Sequence, residues 1–163
     1  MKKLALLFAM LLLTSVAARA QFEKGTFILN PSVTGLDFSY SKNSKAHFGL
    51  GGQVGTFVAN GFALLLNGDV SWSKPVDTYG LGAGARYYFS STGIYLGAGL
   101  DWERYSYDGG MRSSDWGVGL EAGYAFFLSR TVTIEPSVYY KWRFKDSDNS
   151  RFGIKIGFGF YFK

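Results

Sequence analysis

The chain has 163 residues with 22 glycines, an aromatic content of 18% and a formal net charge of +5 at pH 7. This length fits one domain, and the absence of cysteine removes disulfides and thiolate chemistry from consideration. Because Lys2, Lys3 and Arg19 lie in the first 20 residues, the remainder carries a net charge of only +2 and gives no argument for a nucleic-acid partner.

Residues 1–20 have the pattern of a secretory signal peptide. Lys2 and Lys3 precede an apolar run at residues 4–13, and Ala18-Arg19-Ala20 provides the small side chains of a cleavage site. As a helix, the apolar run is too short to span a bilayer. We therefore predict cleavage after Ala20 and a mature barrel domain of residues 21–163.

The last stretch of the chain, residues 151–162, alternates between two kinds of side chain. Its even positions are large and apolar, whereas its odd positions are glycine, charged or amphipathic. A period of two indicates a strand with two different faces, and a tilted transmembrane strand needs roughly 9–11 residues. The same pattern recurs upstream and predicts eight strands, at residues 26–40, 47–58, 62–73, 78–89, 94–105, 116–128, 131–144 and 151–162.

Three local signals refine these strands. Pro31 and Gly35 predict a bulge in the first strand, and Pro136 removes one ladder hydrogen bond from the seventh. Asn60-Gly61 predicts a hairpin turn with positive φ at both residues. The links at residues 60–61, 90–93 and 129–130 are tight, whereas those at residues 41–45, 74–77, 108–115 and 145–150 are more polar and somewhat longer. Eight antiparallel strands with short links and no helical periodicity predict an all-β, up-and-down barrel.

Two barrels fit this pattern, a soluble one with its apolar faces inward and a transmembrane one with its apolar faces outward. The apolar faces carry almost no charge, and the polar faces are dense in glycine, which suits a narrow interior. The aromatic residues also sort by height. Near the loop ends of the strands lie Trp72, Trp102, Trp116 and Trp142, and near the opposite ends lie Phe62, Phe89, Phe126, Phe160 and Phe162. Two aromatic girdles are typical of a membrane barrel, so we predict a transmembrane β-barrel.

The polar faces carry acidic and basic residues in near balance. One interpretation is an ion-pair network that plugs a lumen too narrow for bulk water, and the other is a conduction path. Balanced charge favours the network, because an unpaired buried ion costs several kcal/mol. The residues predicted to face the lumen are Asp37, Asp69, Arg86, Asp101, Glu103, Glu121, Glu135, Lys141, Arg143, Arg151 and Lys155.

The chain resembles the small eight-stranded outer-membrane proteins of Gram-negative bacteria, the OmpX/OmpW-like group. The resemblance covers the mature chain and includes KGTF at residues 24–27 and GFGFYF at residues 157–162. It implies location in the outer membrane, a monomeric state, and insertion by the barrel-assembly machinery, which reads Phe158, Phe160 and Phe162. Lys163 follows the final phenylalanine and departs from that pattern. Four lysines lie in the predicted loops, namely Lys42, Lys45, Lys74 and Lys145. They either contact the phosphates of lipopolysaccharide or are ordinary solvated residues.

Enzymes on this scaffold use a histidine beside a serine or an aspartate. The single histidine, His47, has no such partner nearby in the sequence, and a lone histidine with scattered carboxylates predicts no metal site. We therefore expect no catalytic, cofactor or metal site and a structural or interaction role in the cell envelope. The alternatives are a narrow channel or transporter for ions or small hydrophobic molecules and, third, a lipid A-modifying enzyme.

Overall fold

The computed structural model describes residues 22–37, 47–72, 76–89, 92–107, 112–145 and 150–163. The predicted signal peptide, residues 1–20, lies outside these ranges and stays a prediction. Within the described residues the chain forms eight strands, the sixth in two segments. They are β1 (Phe27–Asp37), β2 (His47–Ala59), β3 (Phe62–Trp72), β4 (Val76–Tyr88), β5 (Ile94–Tyr107), β6 (Arg112–Tyr124 and Phe126–Phe127), β7 (Val132–Arg143) and β8 (Arg151–Phe162).

The strands close into a barrel. Each strand pairs antiparallel with its neighbour in the sequence, and β1 pairs antiparallel with β8 in a register that sets Phe27 opposite Phe162. The predicted eight-stranded antiparallel up-and-down barrel is therefore confirmed. We call the end with the tight links after β2, β4 and β6 the turn end, and the opposite end the loop end.

The wall of the barrel is apolar outside and polar inside. Leu66 and Leu81 are each 63% exposed, whereas Arg86 and Arg143 are each 1% exposed. Alternation along the strands places large apolar side chains on the outer surface of every strand. The arrangement with apolar faces inward is therefore wrong for this chain. No helix among the described residues is long and apolar enough to cross a membrane.

The bulge in β1 and the first hairpin differ in detail from their predictions. The register between β1 and β2 shifts between Thr34 and Asp37, which includes Gly35, whereas Pro31 stays in the ladder opposite Gly52. At the hairpin, Gly61 has a φ of 75°, but Asn60 does not share the positive φ. Ala59 pairs with Phe62, so Asn60-Gly61 is the predicted two-residue link, and the register shift between Phe57 and Ala59 places a bulge just before it.

The interruption of β6 lies opposite Pro136 of β7. The register passes from Gly123 opposite Ser137 to Phe126 opposite Ile134, which leaves Ala125 outside the β6–β7 ladder. Proline has no N–H to donate, so the ladder has one bond fewer here. The N–H of Ala125 donates instead to the carbonyl oxygen of Gly93, at 2.9 Å.

Candidate functional site

The turn end of the lumen is closed by an aromatic floor. Phe22, just before β1, is 1% exposed, and its ring stacks on Tyr88 with a centroid distance of 4.4 Å. The rings of Phe57, Phe127 and Tyr161 surround it at centroid distances of 5.8, 5.5 and 5.8 Å. Such aromatic pairs are each worth about 0.5–1.5 kcal/mol beyond the burial of their area. The floor is therefore a packed layer across the turn end.

Backbone hydrogen bonds hold the segment that carries Phe22. The carbonyl oxygen of Phe22 accepts the N–H of Gly61 at 2.7 Å, and the N–H of Gly25 donates to the carbonyl oxygen of Phe57 at 2.8 Å. The N–H of Lys24 donates to Oδ1 of Asn60 at 3.0 Å. Sequence reasoning missed Phe22, because it precedes the first alternating segment and belongs to no periodic pattern.

Directly above the floor lies a lower ion network, centred on Arg86 of β4. Its guanidinium contacts Glu135 at 3.0 Å and Glu121 at 3.1 Å, and donates to Oε1 of Gln53 at 2.5 Å. It also donates to the Tyr88 hydroxyl at 2.8 Å, and its central carbon lies 4.2 Å from the ring centroid of Tyr95. The buried charge of Arg86 is thereby compensated by carboxylates of β6 and β7, with further contacts from β2, β4 and β5.

The two carboxylates of the lower ion network have further donors. Glu135, 1% exposed, accepts hydrogen bonds from Asn30 Nδ2 at 2.6 Å, Thr133 Oγ1 at 2.8 Å and Tyr161 Oη at 2.5 Å. Glu121 accepts from Tyr95 Oη at 3.1 Å and contacts Nζ of Lys155 at 3.1 Å. Tyr88 and Tyr161 belong to both layers, and the ring of Tyr95 packs on Tyr88 with a centroid distance of 5.2 Å, so the aromatic floor and the lower ion network are one structure.

An upper ion network lies toward the loop end. Nζ of Lys141 contacts Glu103 at 2.8 Å, Asp69 at 3.5 Å and Asp101 at 4.0 Å. Arg143 contacts Asp101 at 2.7 Å and also pairs with Glu103. Two cations therefore face three carboxylates within one layer of the lumen.

A polar cavity of about 130 Å³ separates the two networks. Asp69, Asp101 and Lys141 line it from above, and Arg86, Glu121 and Lys155 line it from below. A space of this size with polar partners on both sides is large enough for a few water molecules. The lumen is therefore divided into a floor, two charged layers and a small chamber.

Several lumen-facing glycines leave room for these side chains. A Cβ at Gly123 would lie 2.5 Å from the ring of Tyr95, and a Cβ at Gly80 would lie 2.6 Å from a carboxylate oxygen of Asp69. Real Cβ atoms are not found so close to other atoms. The glycine-rich face of these strands thus reflects the crowding of a narrow interior.

Every predicted lumen residue whose side chain is described lies in one of the two networks. The side chains of Asp37, Arg151 and His47 are not among the described ones, although the backbones of these residues belong to β1, β8 and β2. The predicted loop residues Lys42, Lys45 and Lys74 also lie outside the described residues. What the sequence missed, besides Phe22, is the polar support from Asn30, Gln53 and the tyrosines.

The predicted tryptophan girdle occupies the outer surface near the loop end. Trp72, Trp116 and Trp142 are exposed, Trp102 is half-buried, and Trp102 lies opposite Trp116 in the β5–β6 register. The C-terminal aromatic residues Phe158, Phe160 and Phe162 follow one another on the outer face of β8, toward the turn end. The described residues contain no group of three His, Cys, Asp or Glu side chains that could hold a metal ion.

The chain is similar to known proteins in structure, but its sequence matches none of the families or curated proteins compared. Neither a protein-family model nor a curated protein matches the chain. The N-terminal β-barrel domain of OprF from Pseudomonas aeruginosa has a TM-score of 0.69 at 16% identity, covering 85% of this chain and 98% of that one. Neisserial surface protein A has a TM-score of 0.68 at 22% identity, covering 85% and 97%.

The outer-membrane protein OprG from Pseudomonas aeruginosa is also similar, with a TM-score of 0.55 at 15% identity over 87% of this chain and 98% of that one. At such identities the likeness is one of fold. The chain has the fold of the small eight-stranded outer-membrane barrels.

Proposed function

We propose that this chain is an integral outer-membrane protein with a structural or interaction role in the cell envelope, and that it neither catalyses a reaction nor conducts solutes. The observation that carries this proposal is a barrel with an apolar outer wall around a lumen filled by paired charges. The turn end then faces the periplasm, and the loop end faces the outside of the cell.

The outer wall has the height and chemistry of a membrane-spanning surface. The eleven residues of β3 rise about 3.4 Å each, so at a strand tilt of about 40° they span roughly 29 Å along the barrel axis. Outer-membrane barrels carry an apolar band about 25 Å tall. A water-soluble barrel would instead expose many Lys and Glu side chains on this wall.

The filled lumen supports a role without conduction. A solute crossing from the loop end would have to part Arg143 from Glu103, then Arg86 from Glu121 and Glu135, and finally displace Phe22. Breaking one buried pair costs about 3–5 kcal/mol, and the aromatic floor adds a further barrier. Eight-stranded barrels in general leave room mainly for side chains.

The proposal is tested on the purified mature chain. It predicts recovery from the outer-membrane fraction, a need for detergent, and a gel mobility that changes on boiling. In planar bilayers the protein should give no stepwise openings. Water solubility without detergent would refute the membrane assignment, and reproducible openings would refute the closed lumen alone.

A narrow channel is the second candidate, and the chamber of about 130 Å³ between the two networks favours it. A conduit would need both networks to rearrange together, which makes openings voltage- or ligand-dependent. Conductance over a wide voltage range separates the two candidates.

We further propose that the barrel-assembly machinery reads Phe158, Phe160 and Phe162 during insertion, and that the barrel is a monomer.

A further inference from the structure

A cluster of exposed cations lies at the loop end of β5, β6 and β7. Arg104 of β5 lies opposite Ser114 of β6, and Arg112 is two residues from Ser114 on the same face of β6. From the end of β7, Nζ of Lys145 donates to the carbonyl oxygen of Ser114 at 3.0 Å. Arg104, Arg112 and Lys145 therefore surround one point of the rim, which we call the basic rim.

The basic rim has an excess of positive charge. No salt bridge joins Arg104 or Arg112 to a carboxylate within the described residues. Asp115 is buried and accepts the backbone N–H groups of Trp116 and Lys145. Asp77, opposite Ser106 at the end of β4, is the one exposed carboxylate beside the rim among the described residues.

The basic rim lies just outside the tryptophan girdle. Arg104 follows Trp102 by two residues on the same face of β5, which places it about 7 Å further along the strand. Trp116 lies opposite Trp102, and Trp142 is one strand further on. Tryptophan rings mark the headgroup level of a bilayer, so the basic rim lies at the level of the lipid phosphates.

Below the basic rim, the outer wall has an apolar groove of about 580 Å³. Small side chains form its floor, namely Ala85 of β4, Ala98 opposite it on β5, and Ala122 of β6. Larger side chains, including Leu120 and Tyr140, form its sides. The groove is thus a depression in a wall of otherwise bulky residues.

The groove and the basic rim share the outer face of β5. Ala98 precedes Arg104 by six residues, which is about 20 Å along the strand and about 15 Å along the membrane normal at a tilt of about 40°. One leaflet supplies half of a hydrocarbon core of about 30 Å. A lipid with its phosphate at Arg104 would therefore extend its acyl chains into the groove.

We propose that the basic rim and the groove form one binding surface for a phosphorylated lipid of the outer leaflet, with phosphate on Arg104, Arg112 and Lys145 and acyl chains over Ala85 and Ala98. The arginines bind phosphate as planar, bidentate donors, and the groove selects a chain-bearing ligand over a free phosphate. This inference rests on the proposed function, because it requires the wall to lie in a membrane.

The test measures retention of added lipid by the purified full chain in detergent, by native mass spectrometry. The probes are diphosphorylated lipid A and the same lipid after enzymatic removal of its phosphates. We expect one tightly held molecule of the phosphorylated probe. The double variant Arg104→Gln/Arg112→Gln should hold it roughly 30-fold more weakly, since each basic side chain near a lipid surface contributes about a factor of five.

Matched controls separate this surface from general attraction. Lys24→Gln/Lys163→Gln removes the same charge at the turn end, where both lysines are exposed, and should leave retention unchanged. Ala98→Phe fills the groove and should weaken retention, whereas Val54→Phe, on β2 away from the groove, should not. The dephosphorylated probe should bind equally weakly to the wild type and to the double arginine variant.

Each variant must first show the mobility shift on boiling that marks a folded barrel. Equal retention by the wild type and the double arginine variant, both folded, would overturn this inference and leave the proposed function intact. Equal loss in the lysine control would also overturn it. Loss of the boiling shift together with solubility in water would instead overturn the proposed function.

Discussion

Replacing Arg86 by methionine tests whether the lower ion network stabilises the barrel. Methionine keeps much of the volume and removes the charge. Glu121 would retain Lys155 at 3.1 Å, but Glu135 would lose the only cation that the described residues place against it. Breaking a buried ion pair by removing one partner costs about 3–5 kcal/mol, because the other charge stays buried without compensation.

The measurement is urea unfolding of the protein in lipid vesicles, followed by tryptophan fluorescence. We expect Arg86→Met to lower the free energy of unfolding by about 4 kcal/mol. Adding Glu135→Gln should restore a large part of that loss, since the amide oxygen still accepts the hydrogen bonds of Thr133 and Tyr161, and Asn30 turns its own amide oxygen toward the new NH2 group. The cycle of single and double variants isolates the coupling between the two residues.

Two results would refute this reasoning. A loss below about 1 kcal/mol in Arg86→Met would mean that water replaces the guanidinium without penalty, which is the behaviour of a solvated lumen. A loss that Glu135→Gln fails to reduce would mean that Arg86 acts through packing against Tyr95 instead of through charge.

Three further predictions address the wall, the glycines and the floor. Leu66→Arg places a charge on the outer wall near mid-height and should lower the free energy of unfolding in vesicles by about 2–4 kcal/mol. Gly123→Ala should lower it by about 1–3 kcal/mol by displacing Tyr95, whereas Gly119→Ala, whose Cβ would meet its nearest atom at 3.7 Å, should be tolerated. Phe22→Ala should destabilise the barrel by about 3 kcal/mol and admit a water-soluble quencher to Tyr88.

Each of these has a result that contradicts it. Wild-type stability of Leu66→Arg would mean that the wall does not face lipid. Equal losses in the free energy of unfolding for Gly123→Ala and Gly119→Ala would show that the cost at Gly123 does not come from a clash with Tyr95. Unchanged quenching in Phe22→Ala would place the barrier to solutes in the ion networks and not in the floor.

The inner and outer faces of the barrel wall could be predicted because side chains along a strand point to the same face at every second residue. Alternation in residues 151–162 places Phe152 and Phe158 outside and Gly153 and Gly157 inside, and the structure agrees. The period specifies the face of each residue without any knowledge of the partner strand. The ends of the strands are harder to predict than the faces of their residues. For example, β6 begins at Arg112, four residues before the predicted start.

The pairing inside the lumen could not be predicted, because it depends on the tilt and the stagger of the strands. Asn30 and Glu135 are 105 residues apart in the sequence, yet their side chains share a hydrogen bond of 2.6 Å. Alternation predicts that Glu135 points inward, but it gives no height for a residue in a closed, staggered sheet, and in the irregular first strand it does not identify Asn30. For the same reason the sequence shows balanced charge but not its division into two layers.

Phe22 shows a different limit of periodic patterns. It lies outside the strands, and it is placed by single hydrogen bonds to the turn after β2 and by the rings that enclose it. A layer built from one residue before β1 and inward tyrosines of β4, β5 and β8 has no signature in any one segment. Since this layer lies across the turn end, a residue at the centre of the packing that closes the lumen there is one that alternation cannot detect.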